Sequence, residues 1–266
     1  MTLLIRLLLL ATSLAFFSGC ASLDALNDPV DTSRRANISG TLTTGPMKNQ
    51  PSLEQRGIRK LGLLIAATPE ISFESVGMTM FQNKEFTASH GTQIDDQTIV
   101  RLFMERFAAQ SSIALIDLSG DRESLLPRIK RSMWGGQINL AMDEPVEARI
   151  KELRAEGVDA ILVIREQVLS DFIGGTNQTL AAKGVYNRFG TTMVFAGFDA
   201  SIIDLKTLKG LKHASYVQAS CEPISVTWKS SLEHYTSDDW QFIRAGIERR
   251  LSVNVEETMF MLKAGR

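Results

Sequence analysis

This 266-residue chain has only two cysteines and three histidines. His90, His213 and His234 never stand three or four residues apart, so no helix presents two of them as ligands, and the sulfurs of a structural zinc site are missing. No metal and no cofactor is expected. The chain also lacks a Gly-x-Gly-x-x-Gly fingerprint, a phosphate loop ending in Lys-Ser or Lys-Thr, a His-Glu-x-x-His pair and a Gly-x-Ser-x-Gly elbow. Charge of one sign is lacking too: 29 cations face 30 acids. That balance gives no electrostatic reason to expect nucleic acid or a strongly anionic surface as partner. A long apolar run is likewise absent. Leu7 to Phe17 is eleven residues, about 16 Å of helix against a hydrocarbon core of about 30 Å.

What precedes residue 20 has the parts of a secretory signal peptide: one cation at Arg6, the short apolar run, then Ser18 and Gly19. Phe17-Ser18-Gly19-Cys20 resembles the lipobox of bacterial lipoproteins, with phenylalanine where leucine is commonest. The resemblance implies cleavage before Cys20, a diacylglycerol thioether on its sulfur and acylation of the new amino terminus. Ala21 is similar to the signal for onward sorting to the outer membrane, which implies a periplasmic-side location. One acyl chain binds a bilayer reversibly, whereas two or three are retained. Residues 1–19 would then be the signal peptide, leaving 28 cations against 30 acids. With Cys20 lipidated, no second thiol remains for Cys221, so no intrachain disulfide is expected and burial is its usual fate.

Residues 20–57 carry Pro29, Pro46 and Pro51 among Ser, Thr, Asn and Gly without an apolar period; they read as a tether reaching about 30 to 35 Å. Residues 58–266 read as one α/β domain, a mixed sheet covered by helices with a long helix at its C-terminal end. "KLGLLIA" and "VDAILVIRE" have the continuous apolar character of strands buried on both faces. "IALIDL" (113–118) is expected to be a third. Residues 77–81 and 85–88 suggest a hairpin. Asp95 or Asp96 should cap a helix to Gln110, with Ile99, Phe103 and Phe107 facing in. Asp143 and Pro145 should open another, stopped by Gly157 in a left-handed conformation. A long strand is expected over 192–205, then a hairpin through Lys206–Gly210, and a final helix over 240–263 with Gly246 in close backbone contact. "VGMTMFQNKEF" and "FDASIIDLKTLKG" are similar to stretches of uncharacterised proteobacterial envelope proteins and small periplasmic α/β lipoprotein domains; Leu208 stands where that turn usually has glycine.

Candidate sites are few. Asp95 and Asp96 beside His90 are either a metal or acid/base pair or, more simply, helix caps; Asp238 and Asp239 are read the same way. Arg128, Lys130 and Arg131 near Trp134 read as cations near a helix end rather than a base-stacking patch. The loop with Gly174, Gly175 and Asn177 is the candidate interaction surface, since glycine-rich loops on rigid sheets present backbone amides. The resulting expectation is a lipid-anchored, non-catalytic envelope protein held at a membrane by its N-terminal lipid. It would bind a protein or cell-wall partner or serve as an assembly subunit, without nucleic acid. The alternatives are a periplasmic hydrolase whose site assembles only in the fold, and a small-ligand carrier with an apolar pocket of a few hundred Å³.

Overall fold

The computed structural model describes residues 51–76, 83–88, 94–131, 138–166, 169–170, 179–180, 183–188, 190–215 and 220–262. A 3₁₀ turn, Glu54–Arg56, ends at Gly57 with φ 80°. Leu53 just before it is fully buried in the main core. Packed chain therefore reaches back beyond the expected tether boundary at residue 57.

Strand β1 (Lys60–Ala66) is followed after four residues by β2 (Ile71–Val76), and β3 (Lys84–Ala88) returns antiparallel to β2, Ser75 opposite Lys84. The second strand expected there is β3, paired with β2; the first, over 77–81, lies outside the described residues. Helix α1 (Asp96–Gln110) starts where Asp95 Oδ1 accepts from Thr98 N at 3.0 Å and buries Ile99, Phe103 and Phe107 as expected. It delivers the chain to β4 (Ala114–Asp117), parallel to β1. That strand is only half-buried, not a buried central one, because among the described residues β1 is its one strand neighbour.

A one-turn helix α2 (Arg122–Leu125) and a 3₁₀ turn containing Pro127 lead into β5 (Ile129–Arg131), paired with β6 (Ile138–Leu140). The cations at 128–131 therefore sit mainly on a strand and not at a helix end: Lys130 is exposed and Arg128 pairs with Asp143. Helix α3 (Glu144–Ala155) has Asp143 Oδ1 capping Val146 N at 3.2 Å, and Gly157 with φ 80° beyond its end. Strand β7 (Ala160–Glu166) then runs parallel to β1 on the side away from β4. Travelling out to β4 through α1 and back across to β7 through α3 puts the two helices on opposite faces of the sheet, as crossovers of a single hand require.

Next come a ribbon, β8 (Leu169–Ser170) with β9 (Thr179–Leu180), and then β10 (Lys183–Arg188). The latter is a strand the glycine-rich composition hid. The run expected as one strand over 192–205 is two, β11 (Thr191–Ala196) and β12 (Phe198–Asp204), separated by Gly197 and belonging to different sheets. The hairpin to β13 (Gly210–Ser215) is present. Leu208 takes glycine's left-handed place at φ 59°, supported by Asp204, whose carboxylate accepts from Lys206 N at 2.9 Å and Thr207 Oγ1 at 2.8 Å. Strand β14 (Ser220–Pro223) and helix α4 (Ser237–Leu262) are the last of the described elements.

The strands form two five-stranded mixed sheets, β13-β12-β7-β1-β4 and β14-β11-β10-β2-β3. The orders match position for position. β1 runs on into β2, β11 into β12 through one glycine, and β7, β13 and β3 precede β10, β14 and β4. The sheets are two halves of one surface creased across its middle. One apolar cluster lies beneath α1 and α4 and draws on both halves; the other lies between the first half and α3, α2 and the β5–β6 ribbon. Gly246 lets α4 sit close: a methyl there would come within 2.7 Å of Val194 Cγ2.

The start of α4 yields a pH prediction. Thr236 Oγ1 accepts from Asp239 N at 3.2 Å while Asp239 Oδ2 accepts from Thr236 N at 2.7 Å, a reciprocal cap, and Lys229 Nζ lies 2.6 Å from the same oxygen. Lys229, then the Thr236 amide, hold the Asp239 carboxyl below its ordinary value. Because the folded value is the lower one, its stabilisation is present above the ordinary aspartate value of about 3.9 and fades as pH falls through the folded value. Asp239→Asn should therefore cost about 1 kcal/mol at pH 7, and the difference from the parent should vanish on acidification. Urea unfolding across pH measures it; an equal difference at pH 7 and in acid would refute the ionic origin.

Candidate functional site at the crease

In open α/β sheets the natural binding crevice lies beyond the carboxyl ends of the parallel strands. Here those ends are Ala66 of β1 and Glu166 of β7, and the space beyond them is the crease. Two consecutive residues of the β1–β2 link, Ala67 and Thr68, cross it, and their main-chain groups are bonded by charged side chains from four other elements. Asp96 Oδ1 on α1 accepts from Ala67 N at 3.0 Å, and Arg122 Nη2 on α2 donates to Ala67 O at 3.0 Å. Glu166 Oε2 accepts from Thr68 N at 2.9 Å and from Thr68 Oγ1 at 3.0 Å, and Lys183 Nζ, at the start of β10, donates to Thr68 O.

The clamping residues also pair with each other, Arg122 with Asp96 and Lys183 with Glu166. Lys183 is 2% exposed, so its charge is tolerable only because carboxylate and carbonyl both receive it. A cavity of about 10 Å³ adjoins the clamp, lined by Ile99, Ile164, Phe198 and Leu251 with Glu166 and Lys183 at its polar side. That is room for about one water. Chemically the arrangement holds backbone, and every one of its four charges is engaged.

Sequence reading missed this cluster. Glu166 and Lys183 lie 98 and 115 residues from Thr68. Their only trace is a charge at the end of an apolar strand and a lysine inside "LAAKGVY". Of the two acids expected at the start of α1, Asp95 caps and Asp96 reaches across to β1's end.

Of the candidate site residues above, Cys20, His90, Trp134, Gly174, Gly175 and Asn177 lie outside the described residues. His213 stands in β13 opposite Ser201. His234 Nδ1 is 3.3 Å from Ser231 Oγ, which itself donates to Glu233 Oε2 at 2.8 Å. The carboxylate thus meets the serine and not the imidazole, the reverse of a relay that orients a base, and His234 and Glu233 are exposed. Cys221 is buried, 4% exposed, on β14 opposite Phe195. Among the described residues no cluster of His, Cys, Asp and Glu could hold a metal ion, and no helix is long and apolar enough to cross a membrane.

The molecule is thus a mixed α/β protein with a creased sheet. Neither a family model nor a curated protein matches the chain. Among solved structures, a crystal structure of protein XCC0632 from Xanthomonas campestris, of the family DUF330, covers 77% of this chain and 84% of its own at 12% identity and a TM-score of 0.37. That neighbour is from a proteobacterium and its family is an uncharacterised one; a likeness this remote carries no functional inference.

Proposed function

We propose that the protein is a lipid-anchored module of the periplasmic side of the outer membrane that binds a protein or cell-wall partner and performs no catalysis. The observation that carries the reading is Cys20, directly after Ser18-Gly19 at the end of an eleven-residue apolar run. The crease gives support, since its charges are consumed in holding Ala67 and Thr68 and its cavity admits about one water. A hydrolase or a ligand carrier needs a larger concave site.

Radiolabelled palmitate fed to expressing cells should enter the parent chain and not the Cys20→Ser variant, and the variant should leave the membrane fraction. Equal labelling, or equal membrane retention, would overturn the anchor. Crosslinking in intact cells should then capture one recurrent envelope partner through the parent. Turnover of a periplasmic ester or peptide by the purified chain would favour the hydrolase instead.

A further inference from the structure

Strand β4 (Ala114–Asp117) ends its half-sheet with an open edge. Ala114 N donates to Arg59 O at 2.8 Å and Leu118 N to Leu63 O at 2.9 Å, so the even-numbered residues turn their main-chain groups toward β1. By the alternation of a strand, the N–H and C=O of Leu115 and Asp117 point the other way. Among the described residues no hydrogen bond reaches those four groups. Strand edges are commonly blunted by charge, proline or a bulge. β3, at the edge of the other half-sheet, carries exposed Lys84 and Glu85; β4 has no cation, no proline and no register shift. Its one charge, Asp117, is turned into the chain that follows, accepting from Ser119 N at 2.8 Å and from Ser119 Oγ at 2.5 Å. Leu115 and Ile116 pack on the two core clusters, one on each face, and both remain only half-buried. An added strand would supply partners to the free main-chain groups and cover to both side chains.

The place where the described chain begins points to the occupant. Ser112 Oγ, two residues before β4, donates to the Glu54 carboxylate, and Leu53 is buried in the main core. The N-terminal segment therefore enters the fold at the amino end of β4. Upstream of Pro51, residues 36–45 are the longest part of 20–50 with neither a charge nor a proline. Ile38, Thr41, Thr43 and Thr44 within it are β-branched and favour an extended strand, and Gly45-Pro46 ends it. Residues 45–50 then lead back to Pro51, with a reach of up to about 20 Å. β4 is about 13 Å long. A strand antiparallel to β4 ends beside Ala114, close to that entry point, and leaves the link slack; a parallel one would end at the far side and consume most of the reach.

We propose that residues 41–44 add to β4 as an antiparallel sixth strand of its half-sheet. Thr43 exchanges both main-chain bonds with Leu115 and Thr41 with Asp117, which sets Leu42 opposite Ile116 and covers its exposed side. The pairing does not depend on a lipid at Cys20, so its failure and the failure of the anchor are separate results. With the lipid in place, the free tether shortens to residues 20–40, about 25 Å, and the β4 side of the domain faces the bilayer. Amide exchange followed by NMR on the full mature chain in mild detergent tests the pairing. The Leu115 and Asp117 amides should exchange at least about tenfold more slowly in the parent than in a chain whose residues 38–44 are replaced by an equal length of Gly and Ser. The Ala114 and Leu118 amides, bonded to β1, should be the same in both. Leu42→Cys/Ile116→Cys should form an intrachain disulfide on mild oxidation, and Leu42→Cys/Lys84→Cys, at the edge of the other half-sheet, should not. Equal exchange at Leu115 and Asp117 in the parent and the replaced chain, protection that rises with protein concentration as a second copy would give, or equal linking of the two cysteine pairs would each overturn the proposal.

Discussion

Lys183→Met is expected to lower the free energy of unfolding by about 3–5 kcal/mol, a large part of the roughly 5–15 kcal/mol available to a domain. Methionine has nearly the length of lysine and packs well, so the loss isolates the ammonium. Without it the Thr68 carbonyl has lost its donor, and Glu166, 19% exposed, faces the crease with its cation gone. Thr68 N and Oγ1 still donate to Glu166 and soften the loss without cancelling the charge. Lys183→Met/Glu166→Gln should recover part of it, because a neutral amide costs less to bury than an unpaired carboxylate. A coupling of about 1–3 kcal/mol between the two sites is expected for directly bonded groups. Urea titration of the parent, both single variants and the double variant supplies the cycle. A loss below about 1 kcal/mol for Lys183→Met would mean that the clamp does not hold the crease.

The reason a clamp is needed lies in the topology. A strand that leaves one sheet and enters another must pass through a stretch where no neighbouring strand offers its backbone hydrogen bonds, and buried main-chain groups cannot be left unbonded. At the β11–β12 crossing Gly197 is the whole connection, and Asn254 Nδ2 on α4 donates to Ala196 O at 2.8 Å beside it. At the β1–β2 crossing two full peptide units are displaced, and side chains from α1, α2, β7 and β10 replace the missing ladder. The crease is thus built from polar groups that would look functional one at a time. Together they bond the main chain at the place where an open α/β sheet would receive a ligand.

This explains which parts of the molecule could be read from sequence. Helices α1 and α3 were legible to within a residue because each announces itself locally: a capping aspartate, apolar residues at helical spacing, and for α3 a glycine at its end. Strands β1 and β7 were legible because both faces are buried, which makes their sequences continuously apolar. The crease was not. Residues 191–204 keep one alternating pattern across Gly197, since Val194, Ala196, Phe198, Ala200 and Ile202 all face the same core. A change of sheet leaves that pattern intact, so the two strands read as one. β10 failed for a different reason: "KGVYNR" buries both faces with polar residues, Lys183, Asn187 and Tyr186 among them, and period counting rewards only apolar ones. β4 was overvalued because an apolar run specifies burial in general but not how many neighbours a strand has. The charged cluster at the crease required contacts between residues 17 to 115 positions apart, which a single sequence does not encode in any local signal.

Gly184→Ala should be among the most damaging single changes in the protein, with an expected loss of about 3 kcal/mol, at the upper end of what overpacking costs. Gly184 stands in β10 directly opposite Ser72 of β2 and opposite Phe195 of β11. A methyl there would overlap the Ser72 carbonyl oxygen and come within 2.7 Å of Ser72 Oγ and 2.9 Å of Phe195 Cζ. The carbonyl belongs to the backbone of the neighbouring strand, so relief requires moving β2 away from β10. That movement would pull on Lys183, the preceding residue, and through it on Thr68. Gly246→Ala meets side chains and no backbone, Val194 Cγ2 at 2.7 Å and Ile224 Cγ2 at 3.4 Å, and gains about 1 kcal/mol of helix propensity, so its net effect should be smaller. Gly120, with open space where its methyl would go, is the control, and Gly120→Ala should stay within about 0.5 kcal/mol of the parent. Urea midpoints for the three variants decide the matter. If Gly184→Ala were no worse than Gly120→Ala, β2 and β10 would not lie as close as the crease requires, and the continuity of the two half-sheets at this strand pair would have to be given up.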